Sequence, residues 1–163
     1  MYYKDEIYDE LYLVNKRLAK EGLLLNLKIV GGAALIFNGI SSIETNDIDT
    51  IHKIEPYIKD ILEECSIDIN DDAIDYIQNY EGLEFIRDTC RTFSNINIEY
   101  LDLAGVIKTK MLDTNTDKLQ SLYYLLEEEL EVEMTVAGIC EYLKELGEDI
   151  DPTDVENFLN EFE

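Results

Sequence analysis

Ile7, Leu11, Val14 and Leu18 recur at intervals of three and four residues, and that spacing predicts an amphipathic helix from about Tyr2 to Ala19. Acids crowd its start, and Lys16, Arg17 and Lys20 gather at its end, where the macrodipole favours them. Glu21-Gly22 stops it. Leu23 to Val30 reads as a short buried strand, Ala33 to Asn38 as a short helix of apolar helix formers, and Asn38-Gly39 as its stop. Ser41 to Asn46 is a polar connection. Asp47 to Ile51 alternates acid and apolar residues and predicts a second strand.

Pro56 suits the first turn of a helix, and Ile58, Ile61 and Leu62 mark its buried face through Cys65. Asp68 to Asp72 reads as an acidic loop ahead of a short helix through Ile77. Leu83 to Arg87 and Ile96 to Leu101 have the alternation of strands. Four helical stretches follow: Leu103 to Leu112, Asp117 to Leu130, Thr135 to Leu146 and Thr153 to Phe162. The order predicts an α/β (α+β) chain, a mixed β-sheet flanked by helices with a helical C-terminal third. We divide it into a core, residues 1–112, and a helical extension, residues 113–163.

Charge changes the picture most. With 37 acids against 13 lysines and arginines, the 163-residue chain has a formal net charge of -24. Such a surface repels phosphate backbones, so broad nucleic-acid binding is not expected, and an anionic ligand must be met by local cations or a metal. Cys65, Cys90 and Cys140 are too widely spaced for a zinc motif and read as reduced structural thiols. The charged opening MYYKDEIYDE and the lack of a long apolar run predict a cytoplasmic protein with no membrane span.

Two short stretches carry candidate chemistry. Gly31-Gly32 follows an apolar strand, where a pair of glycines loses more backbone entropy than any alternative and so needs a reason, such as positive φ or the close approach of another group. A strand-to-helix turn there leaves backbone N–H groups free for an anion. Asp47 and Asp49 flank Ile48, and in a strand both carboxylates share one face. At roughly 5 Å and an effective dielectric near 20 they repel by about 3 kcal/mol, which calls for a shared proton or a cation. Glu99 shares a strand face with Asn97 and is a candidate third carboxylate. The Asn70-Asp71-Asp72 run lacks the alternating ligands and glycine of a calcium loop and reads as a solvated turn.

Taken together, Ile29-Val30-Gly31-Gly32-Ala33-Ala34-Leu35 followed by Asp47-Ile48-Asp49 resembles the nucleotidyltransferase superfamily, of DNA polymerase beta-like fold, and especially its small bacterial members of the abortive-infection toxin type. Thr45 matches the family's Thr or Ser before the acid pair, Lys110 its later lysine, and Asp117 its later acid; Ile43 stands where an arginine is expected. The resemblance implies Mg²⁺ or Mn²⁺ held by Asp47, Asp49 and Glu99, a nucleoside triphosphate (NTP) bound by Gly31, Gly32, Thr45 and Lys110, and transfer of its nucleoside monophosphate to an unknown protein, small-molecule or RNA-end acceptor. The alternative is a catalytically inactive relative that serves as a binding or partner protein, which the loss of the arginine favours.

Overall fold

The computed structural model describes residues 3–40, 43, 45–75 and 82–163. The expected helix start at Tyr2, much of the Ser41 to Asn46 connection and the end of the short helix through Ile77 lie outside the described residues. By contacts the chain separates into two compact units, residues 1–102 and residues 103–163.

In the first unit, α1 (Lys4–Glu21) buries Ile7, Tyr8, Leu11, Val14 and Leu18 and ends at Gly22, whose φ of 69° closes the helix as a left-handed cap. There follow β1 (Leu25–Val30), α2 (Gly31–Phe37), β2 (Ile48–Thr50), α3 (Pro56–Glu64), β3 (Ile69–Asn70), a 3₁₀ turn (Ala73–Asp75), β4 (Phe85–Arg87) and β5 (Ile96–Leu101). The strands form one mixed sheet in the order β3-β2-β1-β5-β4. β1 runs parallel to β5 and antiparallel to β2.

Register sorts the side chains into two faces. Leu25, Leu27 and Ile29 of β1 pair with Ile96, Ile98 and Tyr100 of β5, and Ile29 pairs with Thr50 of β2. Against this face lie the helices: Phe37 of α2 stacks on Tyr100 with ring centroids 5.6 Å apart, and Tyr8 of α1 meets Phe37 edge-on. The opposite face alternates in with Asn26, Lys28 and Val30, paired with Asn97, Glu99 and, on β2, Asp49. It is polar along most of its length and closes over buried Val30 and Leu101 at the strand ends.

Four expectations are corrected here. Asp68 to Asp72 is no plain loop, because Ile69 and Asn70 pair in parallel with Ile48 and Asp49 as β3. Nor is the acid run wholly solvated: Asp71 is 5% exposed, accepts the Ile54 N–H at 3.0 Å and pairs with Lys59 at 3.0 Å. Those contacts, the Ile54 N–H foremost, hold its carboxyl below the usual carboxylate range despite burial. The helix after β1 starts at the glycines themselves rather than at Ala33, and Asp47 and Ile51 fall just outside β2.

The second unit is helical: α4 (Leu103–Met111), α5 (Thr116–Tyr124), a π turn (Leu125–Glu129), α6 (Val136–Glu145) and α7 (Pro152–Asn160). The single helix expected from Asp117 to Leu130 is instead α5 followed by the π turn, where the Leu130 N–H reaches back five residues to the Leu125 carbonyl and widens the last turn. Asn115 caps α5, its side chain accepting the N–H groups of Asp117 and Lys118, so the Asp117 carboxylate is not the cap. Thr135 and Asp151 cap α6 and α7. Tyr123, Phe158 and Phe162 form an aromatic cluster, with Tyr123 and Phe162 4.6 Å apart.

Candidate active site

The glycine turn and the acid strand meet because β1 and β2 pair at their ends. Val30, the residue before the turn, lies opposite Asp49, and buried Ile48 fixes which way β2 faces. A one-residue slip would put Asp49 in the core, so the burial of Ile48 and Thr50 holds the carboxylate outward.

The two glycines differ in what they do. Gly31 has φ of 64°, a left-handed conformation that costs a side-chain-bearing residue roughly 1–2 kcal/mol. A Cβ there would also stand 2.9 Å from Oδ2 of Asp49, so the carboxylate occupies the space that the missing side chain leaves. Gly32 has an ordinary φ, and a Cβ on it would meet only Thr45, 3.5 Å from Oγ1. Thr45 in turn donates its hydroxyl to the Asp47 carbonyl at 2.8 Å, bracing the entry to β2. Gly31, Gly32, Thr45 and the Asp49 carboxylate, with the Asp47 carbonyl, are thus drawn into one place from residues up to 18 apart in sequence. Asp47 and Asp49 are both half-buried.

The remaining sequence-derived residues stand apart. Glu99 lies on β5, on the face that bears Asp49 but with β1 between them and two residues farther back, so the Cα atoms are roughly 12 Å apart by strand spacing. Among the described residues, no three carboxylate, histidine or cysteine side chains gather as a metal-holding group. Lys110 is a half-buried residue of α4 and belongs to the second unit. In that unit the neighbouring Lys108 is engaged by Glu148 at 3.1 Å.

Residues 9–85, which contain the turn, the strand and the brace, match the model of a family described as nucleotidyltransferase of unknown function (DUF6036). Over that segment, just under half of the chain, the protein is similar to this nucleotidyltransferase family. No curated protein and no solved structure matches the chain.

A nucleotidyltransferase family implies use of an NTP and, typically, a divalent metal, and the residues at the turn fit such a metal. Asp47 and Asp49 offer hard carboxylate oxygens, and Mg²⁺ is commonly held by one or two carboxylates with substrate phosphates and water filling the other positions. The cradle left by Gly31 brings Asp49 close to the backbone of the turn without a Cβ in the way.

Sequence reasoning missed three polar residues on the same sheet face: Asn70, paired with Asp49, and Lys28 and Arg87, which pair with Glu99 from either side. The alternation in Leu25–Val30 already placed Lys28 opposite the core positions. Which strands would lie beside it is set by tertiary pairing, and nothing local encodes that.

Proposed function

We propose that this protein is a Mg²⁺-dependent nucleotidyltransferase that moves a nucleoside monophosphate from an NTP to the hydroxyl of an acceptor. The observation that carries the reading is the Asp49 carboxylate seated in the space of the absent Gly31 side chain, at the junction of strand, turn and helix. There one Cα serves both as phosphate-approach turn and as support for a metal-holding acid.

Asp47 and Asp49 would hold the metal, which when bound supplies neutralising charge to the phosphates. The backbone N–H groups of the Gly31-Gly32 turn would meet the triphosphate. Thr45 keeps Asp47 in place through its carbonyl. In the transfer, the acceptor oxygen bonds to the α-phosphorus as the bond to the α–β bridging oxygen breaks, pyrophosphate departs in line, and the hydroxyl proton passes to Glu99 or to water.

A second reading, a nucleotide-binding partner protein without turnover, is favoured by Ile43 in place of arginine and by the strand that separates Glu99 from Asp49. Thermal-shift measurements with Mg²⁺ and each NTP, followed by transfer from α-labelled NTP, separate the two. The enzyme reading expects a metal-dependent rise in Tm that disappears in Asp49→Asn, and label moved to an acceptor. A rise without transfer to any acceptor supports the partner reading. No rise with any NTP at millimolar concentration sinks both.

A further inference from the structure

Only nine of the thirteen lysines and arginines fall in residues 1–102, so cations placed on Asp49's side of the sheet are informative. Lys28 of β1 and Arg87 of β4 both pair with Glu99 of β5, forming a cation-acid-cation row across three adjacent strands. Lys28 is two residues from Val30, Asp49's partner, so the row shares Asp49's face. Among the described residues neither cation is engaged in an ion pair; the Lys28 ammonium rests 5.2 Å from the centroid of the Phe85 ring.

That resting place gives the row a direction. Phe85 is on β4, so the ammonium leans across β5, away from β2 and toward the strand that bears Arg87. Both cations therefore lie on the β5 side of Asp49, Arg87 opposite Glu99 and the Lys28 ammonium over Phe85, the residue opposite Leu101. Along β1 the order is the glycine turn, then Val30 opposite Asp49, then Lys28. In-line displacement puts the leaving pyrophosphate and the attacking oxygen on opposite sides of the α-phosphorus. With the triphosphate at the glycine turn and the α-phosphorus at Asp49, the Lys28 row lies on the side from which the acceptor comes.

We propose that Lys28 and Arg87 form an anion site for the acceptor, and that the acceptor is a small alcohol carrying a phosphate group near the hydroxyl that attacks. The inference rests on the nucleotidyltransferase reading above. The chain's charge of -24 favours a compact anion over a polyanion such as RNA, because a long phosphate chain would run onto the acidic surface beyond the two cations. Glu99, set between the cations, is placed to accept the hydroxyl proton as the new oxygen–phosphorus bond forms and pyrophosphate leaves.

The test is calorimetric titration of the full chain, loaded with Mg²⁺ and a non-hydrolysable NTP analogue, with glycerol 3-phosphate and with glycerol. Glycerol 3-phosphate is expected to bind at least tenfold more tightly than glycerol with the analogue in place. Binding should fall fivefold or more in Lys28→Met and in Arg87→Met, and survive in Lys28→Arg. Equal binding of the two probes overturns the proposal, as does indifference to both Met substitutions. Displacement of glycerol 3-phosphate by the NTP analogue also overturns it, by putting the cations on the leaving group. Tighter binding of a short RNA through the same two residues overturns the small-molecule assignment. Should Lys28→Met fail to fold, exposed Arg87→Met carries the test alone. Loss of analogue binding by the unaltered protein would strike the functional reading itself, whereas retained analogue binding with indifferent probes strikes only the acceptor site.

Discussion

The two faces of the five-stranded sheet are built from the same strands and do opposite work. On one, Leu25, Leu27, Ile29, Ile96 and Ile98 are buried beneath α1 and α2, and burying each such side chain contributes about 1.5–3 kcal/mol. On the other, Asn26, Lys28, Asn97, Glu99, Arg87 and Asp49 bring little hydrophobic gain. Stability and chemistry are therefore separable here by residue parity, except where Val30 and Leu101 close the polar face at the strand ends. Neighbours in the chain answer to different requirements.

Asp49→Asn tests that separation most severely. Transfer is expected to fall by roughly a thousandfold, about 4 kcal/mol in the barrier, while the Tm without metal stays level or rises as the repulsion is relieved. A drop in Tm of several degrees would show that the acid supports the fold. Ile29→Ala, its counterpart on the core face, should cost about 3 kcal/mol in urea unfolding and leave NTP affinity per folded molecule unchanged.

Gly31→Ala should blur the comparison, since that position serves both faces. Left-handed strain alone is worth roughly 1–2 kcal/mol, and the Cβ pushes the Asp49 carboxylate aside, so stability and metal-dependent NTP binding should fall together. Gly32→Ala meets only an ordinary contact with Thr45 and should lose much less of both. A matched loss at the two positions would mean that the turn, rather than Asp49's seat, is what Gly31 protects.

A further effect concerns a buried acid off the site. Asp71→Asn should cost about 1.5 kcal/mol at neutral pH through its weakened contacts with the Ile54 N–H and Lys59. Because the folded carboxyl titrates below its unfolded value, its stabilisation is complete above the unfolded pKa and fades as pH falls through the lowered folded one. The gap between parent and variant should thus hold from neutral pH down to about pH 5 and close on further acidification in pH-resolved urea melts.

Much of this was legible in the sequence because it depends on local chemistry. The period of α1, the glycine pair and the helical C-terminal third appear where local pattern places them, and the acid-apolar-acid strand survives only as Ile48–Thr50, with Asp47 just before it. What escaped is set by pairing partners. β3 is two residues long, too short for alternation to register, and exists because Ile48 and Asp49 offer it an edge. Asp71 looks like any loop acid until the fold turns it toward Ile54 and Lys59. Asp117, matched to the family's later acid, lies inside the first turn of α5, whose cap is Asn115 by position: its side chain accepts the N–H groups of Asp117 and Lys118. Glu99 was recognised as sharing a face with Asn97, but its separation from β2 by β1 needed strand order.

β2 is only three residues long and meets β1 in two paired rows, Ile29 with Thr50 and Val30 with Asp49. So short a strand has almost no hydrogen-bonding preference of its own for one alignment, and the choice falls to Ile48 and Thr50 seeking the interior. A chain that mispairs here exposes an isoleucine and buries an acid in the same motion. Misalignment of the chemistry thus becomes a folding defect, and the protein can hardly persist in a well-folded form with its acid strand out of place.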